Sequence, residues 1–397
     1  MKKNLMMMGL FCMGMLTMTT SCGDDDDNDG PDDPTKVEIS DVEYDAILSQ
    51  YVNSVVVPTY SDLLARNEAL RLSVVSFTTS PSNDAFSAVC DAWLNAREPW
   101  ETSEAFLFGP VADKGLDPNM DSWPLDQAAI VQILNSQKWS ELEWSGDFDE
   151  ESEEIGAAQN VRGFHTLEFL CFKDGKPRTV TAAASSSAPE DIEYSSADGS
   201  AWGNYMIHVA NLLQKDASDL FNYWSKSYDG GQSYARQFLA HNGGQGFQSA
   251  INCVEQIIDG CVDIASEVGS AKIGEPYDLY VDGKTKEALY AVESWYSWHS
   301  RDDYTNNIYS IRNAYYGSRD GRVNANSLSA LVAKYNPSLD SQVKSAIQTA
   351  ADAIQAIPQP FRSNIACSES EAAMDACSNL ENLLKNTLKP YLVSHTK

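Results

Sequence analysis

Apolar residues recur every three or four positions through almost the whole chain, and patterns that alternate every second residue are few. That periodicity most constrains the fold, because a chain that can bury only helical stripes must pack helix on helix. The first stripe carries Tyr44, Ile47, Leu48, Tyr51 and Val55, with a break or kink predicted near Pro58 and continuation through Leu63, Leu64, Leu70 and Val74. After the turn Ser80-Pro81-Ser82-Asn83, a second helix is predicted over 84–107, bearing Trp93, Trp100 and Phe106. Residues 109–124 read as loop, punctuated by Gly109-Pro110, Gly115 and Trp123-Pro124. A helix over 157–172 stops at Asp174-Gly175. Further helices are predicted at 201–228, 232–268, 286–298, 303–316, 325–357 and 367–393. Thr179 to Ser200 is rich in Ala, Ser and Thr and lacks any period, which marks a connection. The expected architecture is all-α: two tandem helical bundles, 36–178 and 200–397, joined by a mobile connection at 179–199. No repeat of 20–50 residues is visible, so a solenoid is not expected.

The first 35 residues are set apart from the fold. Met1-Lys2-Lys3 is followed by an apolar run from Leu5 to Leu16 and then by Thr19-Thr20-Ser21-Cys22. A run this short falls below the ~20 residues a spanning helix needs, while a positive start and small residues before a cysteine are the pattern of a lipoprotein signal. Residues 1–21 would be removed and Cys22 would carry the lipid that anchors the mature chain to the outer membrane. An ordinary cleaved signal followed by a free cysteine is the alternative. Residues 22–35 hold Asp24-Asp25-Asp26-Asp27 and three more aspartates, a solvated tether with nothing to bury. The run nearly spells a calcium loop, but Lys36 stands where the twelfth-position Glu is required. An acidic run after a lipidated cysteine resembles the signal that sends some lipoproteins on to the cell surface.

Charge excludes one class of partner. With 28 basic against 57 acidic side chains the chain carries −29, and nucleic acid, which is bound through Lys and Arg clusters, is not expected. From Lys36 onward 26 basic residues face 50 acidic ones, so the body itself is strongly acidic. Six cysteines remain there: Cys90, Cys171, Cys253, Cys261, Cys367 and Cys377. No C-x-x-C occurs. If their helices pack antiparallel, the bridges 253–377 and 261–367 are geometrically allowed.

The familiar catalytic signatures H-E-x-x-H, G-x-S-x-G and G-x-x-x-x-G-K-[ST] are absent. One segment stands apart, Arg162-Gly163-Phe164-His165-Thr166-Leu167-Glu168-Phe169-Leu170. On a helix, residues three apart lie about 60° from each other and about 4.5 Å along the axis. His165 and Glu168 therefore share a face and can ligate one cation. The same spacing also lets Glu168 simply accept a hydrogen bond from a buried His165. Gly163 allows another backbone or a ligand to come close on that side.

Gly163-Phe164-His165-Thr166-Leu167-Glu168 matches the G-x-H-x-x-E motif of the imelysin family, which includes the insulin-cleaving membrane protease and iron-regulated protein relatives. Tyr51-Val52 to Tyr60 resembles the family's first helix, and Arg97-Glu98-Pro99-Trp100-Glu101 through Gly109-Pro110 resembles its second. Asp121-Ser122-Trp123-Pro124 resembles the following loop. Lys272-Ile273-Gly274-Glu275-Pro276 and Ser297 to Asp303 are similar to weaker motifs in the C-terminal half. The resemblance implies an exported, two-bundle helical protein with a site at the junction around His165 and Glu168. It adds Glu104 as a further metal ligand, and Arg97, Asp121 and Glu275 as site residues, with Arg97 more suited to orienting a carboxylate than to binding metal. Three functions follow. The first is a cell-envelope lipoprotein that binds a metal such as iron, or a metal-bearing ligand, and serves uptake beside an outer-membrane receptor or permease. The second is a metal-dependent peptidase, and the third a surface binding module for a small ligand with no metal.

Overall fold

The capping box at Ser40 starts the chain's long N-terminal helix. Ser40 N and Oγ both donate to Glu43 Oε2, at 3.1 and 3.0 Å, and the Asp41–Tyr51 helix begins there. A computed structural model describes residues 38–180 and 199–397 of the chain. The expected signal, the expected lipid site at Cys22 and the expected acidic tether lie outside the described residues, as does most of the 179–199 connection.

Pro58 does not break the helix. A wide turn of i→i+5 hydrogen bonds over Val52–Val56 precedes it, and Val57–Thr79 follows without interruption. A proline removes one N–H from the helical ladder, and a widened turn absorbs that defect while keeping the axis. Thr59 supports the spot by donating its hydroxyl to Val55 O at 2.7 Å.

Val57–Thr79 is the central helix, packed along Asn83–Glu101 on one side and Gly199–Ser225 on another. Asn83–Glu101 also lies against Ser300–Tyr316, so helices from both sides of residues 179–199 share contacts. The described residues belong to one compact unit. Among them, the only strands are Phe172–Lys173 and Lys176–Pro177, an antiparallel hairpin with Phe172 opposite Pro177. Its turn takes positive φ at both Asp174 and Gly175. A side chain on Gly175 would overlap the Trp298 ring. No described helix is long and apolar enough to cross a membrane.

Several of the expected helices are divided or cut short. The 157–172 segment is two, Glu153–Gln159 and Gly163–Cys171, because Arg162 is extended and Gly163 takes φ +87°. The 232–268 segment breaks between Tyr234–Ala240 and Ala250–Ser266, where His241 is left-handed. The 325–357 segment breaks before Pro337, with Asn336 capping the second helix. The 286–298 helix stops at Ala291 and gives way to a loop. Residues 109–124, read as loop, contain two short helices, Pro110–Asp113 and Leu116–Asp121.

The antiparallel pairing of C-terminal helices is present, but in a register that forbids the bridges. Ala250–Ser266 runs on through a second wide turn, Glu267–Gly274, into Glu275–Val281. Ser368–Leu383 lies against it so closely that a Cβ on Gly269 would come 2.9 Å from Cys377 Cβ, while Lys389 reaches Asp259 at 2.8 Å. Gly269 is sixteen residues, about 24 Å of helix, beyond Cys253. Cys253 instead donates to Phe238 O at 3.3 Å, and all six body cysteines are free thiols. Thiol titration of the denatured mature chain should find these six reactive without reductant; fewer would mean that a bridge forms.

Candidate metal centre

Gly163 decides where the site can form. Its φ of +87° is open to glycine, and a Cβ there would sit 2.5 Å from Met120 O. The missing side chain lets the start of Gly163–Cys171 lie directly against the end of Leu116–Asp121, the helix whose last residue is Asp121. Phe164, Leu167, Phe169 and Leu170 are fully buried on the other faces and lock the helix in rotation.

His165 is then held from both ring nitrogens. Nδ1 lies 3.0 Å from Glu168 Oε2. A carboxylate can only accept, so this nitrogen carries the hydrogen, and in the neutral ring Nε2 keeps its lone pair. Nε2 makes no hydrogen bond but lies 3.2 Å from Asp121 Oδ1. Glu168 stands on the opposite side of the ring, where its Oε1 accepts from the Ser297 amide at 2.8 Å and the Ser297 hydroxyl at 2.7 Å. The Trp123 ring covers the imidazole at 4.8 Å.

Arg97, without exposure to water, ties the surrounding acids together. Its guanidinium pairs with Asp121 Oδ1, with Glu101 Oε1 one helical turn away, and with Asp303 Oδ2 at 3.3 Å. Its plane lies near the Trp93 and Phe164 rings. Removing one partner of such a buried set costs about 3–5 kcal/mol, since the others keep their charge without compensation. Trp100 Nε1 donates to Asp121 Oδ2 at 2.7 Å, Asn307 to Glu101 Oε2 at 2.5 Å, and Ser294 to Asp303 Oδ2 at 2.5 Å. Burial would raise the Asp121 and Asp303 carboxyls, but Arg97 prevails in both, helped by His165 at Asp121 and by His299 at Asp303, and both are held below the usual range.

A cavity of about 210 Å³ adjoins this cluster, lined by Glu104, Asp117, Asp121, Glu267, Glu293 and Lys272, with Trp123 at its wall. Lys272 points in from the wide Glu267–Gly274 turn and meets Glu293 at 2.9 Å and Glu267 at 3.4 Å. Burial and neighbouring carboxylates push Glu101 and Glu104 well above the ordinary range, only partly offset by Arg97 and Lys272 respectively. Burial, Glu267 and Asp121 bring Asp117 up to about 7. Oxygens of Glu101, Glu104 and Asp121 lie within 4.8 Å of one another. The pocket is thus short of positive charge; carboxylate oxygens gather at it, and the buried His165 ring stands beside one of the acids that line it, Asp121.

Of the residues expected from sequence, His165, Glu168, Gly163, Arg97, Asp121 and Glu104 come together here. Glu275 does not: it is exposed at the start of its own helix, and Lys272 takes the inward position. Glu101, Asp303 and Ser297 lie inside the stretches that carried the family resemblance, but spacing gave no reason to choose them. Asp117, Glu267 and Glu293 reach the cavity only through tertiary packing.

Residues 56–387 match the model of the Imelysin family. Iron-regulated protein A of Synechococcus elongatus is 26% identical over 382 residues, covering 96% of this chain and 91% of that protein. A crystal structure described as an iron-regulated protein A precursor, from Parabacteroides distasonis, is 36% identical with a TM-score of 0.80, covering 89% of this chain and 96% of its own. An imelysin-like protein from Psychrobacter arcticum shares the fold at a TM-score of 0.65 and 15% identity, over 90% of this chain and 98% of its own.

Gly163→Ala should destabilise the protein by about 3 kcal/mol, from the left-handed backbone alone before the overlap with Met120 O is relieved. Urea unfolding checks this, and an unchanged midpoint would mean that the close approach is not required.

Proposed function

We propose, from the premise that this chain belongs to the imelysin family, that it is a cell-envelope lipoprotein that binds a metal ion, with iron as the preferred cargo, for uptake. The observation that carries this reading is the facing pair His165 Nε2 and Asp121 Oδ1, 3.2 Å apart with no hydrogen bond between them. Arg97 compensates part of the Asp121 charge from its own side, and a further positive charge, a proton or a metal ion, between Nε2 and Oδ1 would remove the repulsion that remains. The neighbouring Glu101 and Glu104 oxygens supply further donors of the kind that a hard cation takes.

His165 Nε2, Asp121, Glu101 and Glu104 would hold the ion. One imidazole among carboxylates suits iron or manganese better than the soft Cu(I), which prefers thiolates. Glu168 serves differently from the simple expectation that it ligates beside His165. It lies on the Nδ1 side of the ring and is held there by Ser297, so it fixes the ring's orientation and tautomer, as carboxylates behind metal-binding histidines do. Relatives named iron-regulated protein A support iron as the cargo. An ion bound here would supply positive charge to a pocket where carboxylates outnumber Arg97 and Lys272.

Metal analysis after loading with ferrous iron and desalting tests the assignment of roles. The wild type should hold one equivalent, His165→Ala and Asp121→Asn none, and Glu168→Gln one equivalent bound roughly 10–100-fold more weakly. Equal metal in wild type and His165→Ala would end the proposal. For the anchor, Cys22→Ser should abolish incorporation of labelled palmitate in cells, and unchanged labelling would refute lipidation at Cys22.

A further inference from the structure

The loop between Thr285–Ala291 and Ser300–Tyr316 reaches both of the side chains that face each other across the metal position. Ser297 donates its amide and its hydroxyl to Glu168 Oε1, and Glu168 Oε2 accepts from His165 Nδ1. Three residues earlier, Ser294 donates to Asp303 Oδ2, which pairs with Arg97, which pairs with Asp121. Two relays therefore run from one loop, one ending on His165 and the other on Asp121.

The loop is built under strain and pinned at both ends. Ser294 and Trp298 have φ of +49° and +63°, a backbone region that side-chain-bearing residues seldom occupy. Trp123 Nε1 donates to Ala291 O at 3.2 Å, and Gly175 N donates to Tyr296 O at 2.9 Å. Ser300 Oγ donates to Glu293 O at 2.5 Å. Strained backbone persists only where the surroundings over-determine it, and these contacts do so here.

Resting on the metal-binding reading above, we propose that residues 292–299 are a positioning strap for the metal centre. Ser297, acting through Glu168, holds His165 in the Nδ1–H tautomer, and Ser294, acting through Asp303 and Arg97, sets the place of Asp121. Neither serine touches the ion. Replacing Ser297 by alanine removes the hydroxyl and leaves Glu168 Oε1 with the residue 297 amide alone, a weaker hold on the carboxylate that orients the ring. The Nδ1–H tautomer is then less strongly enforced. Since the strap belongs to the C-terminal half and His165 to the N-terminal half, affinity for the ion depends on how the two are seated.

The test uses the full mature chain with Ser297→Ala, Ser297→Thr, Ser294→Ala and the double Ser294→Ala/Ser297→Ala variant. Two readouts are taken: ferrous-iron affinity by competition with a chromophoric chelator, and the His165 tautomer in metal-free protein from imidazole ¹⁵N shifts, assigned with His165→Ala. Ser297→Ala should weaken binding about tenfold at unchanged stoichiometry and shift His165 away from pure Nδ1–H, with Ser297→Thr restoring both. Ser294→Ala should weaken binding without altering the tautomer, and the double variant should combine the losses. Unchanged affinity and tautomer in Ser297→Ala would overturn the proposal, as would a lowered melting temperature with neither readout moved. If the wild type binds no iron, the metal reading fails by itself, while the tautomer of Ser297→Ala still decides whether the strap sets the ring.

Discussion

A guanidinium with no access to water has to meet its charge within the protein, and Arg97 does so with Glu101, Asp121 and Asp303. These three carboxylates come from the Asn83–Glu101 helix, the Leu116–Asp121 helix and the Ser300–Tyr316 helix. Arg97 therefore fixes three elements at once. Because the planar fork forms directional pairs, it also sets the orientation of each carboxylate. Asp121 then presents an oxygen to His165, and Gly163 removes the side chain that would have kept the two helices apart.

The charge balance follows from this arrangement. Arg97 and Lys272 face Glu101, Glu104, Asp117, Asp121, Glu267, Glu293 and Asp303 within one connected region. Burial and mutual repulsion raise Glu104 and Asp117, the latter to about 7, and burial raises Glu101 in spite of its pairing with Arg97. Groups raised in this way take up protons readily, and a bound cation would compete with those protons. The acidity of the whole chain agrees with this but does not locate it; the local excess does.

The helical class was legible because burial imposes a 3.6-residue period on nearly every element, and His165 with Glu168 was legible because spacing alone puts them on one face. Gly163 was also readable as a close approach, though not which backbone it would meet. What the sequence hid has local causes. Helix ends at Arg162, His241 and Ala291 depend on single backbone angles that periodicity does not register. Glu275 came from the family resemblance alone, and a motif match does not register that the wide Glu267–Gly274 turn carries Lys272 inward while Glu275 stays exposed. The cysteine pairing failed on register, which depends on how far one helix slides along another. The division of labour between His165 and Glu168 required knowing that Ser297, 129 residues away, occupies the Glu168 oxygen.

The central claim is that the ion sits on the Nε2 side of His165, toward Asp121, with Glu168 behind the ring. Anomalous diffraction from iron-loaded crystals tests it most directly. The account predicts a single strong peak at bonding distance, about 2.0–2.2 Å, from His165 Nε2 and an Asp121 oxygen, with Glu101 or Glu104 also within reach and Glu168 still bonded to Nδ1 and Ser297. A peak coordinated by Glu168, or one with no contact to His165, would contradict it.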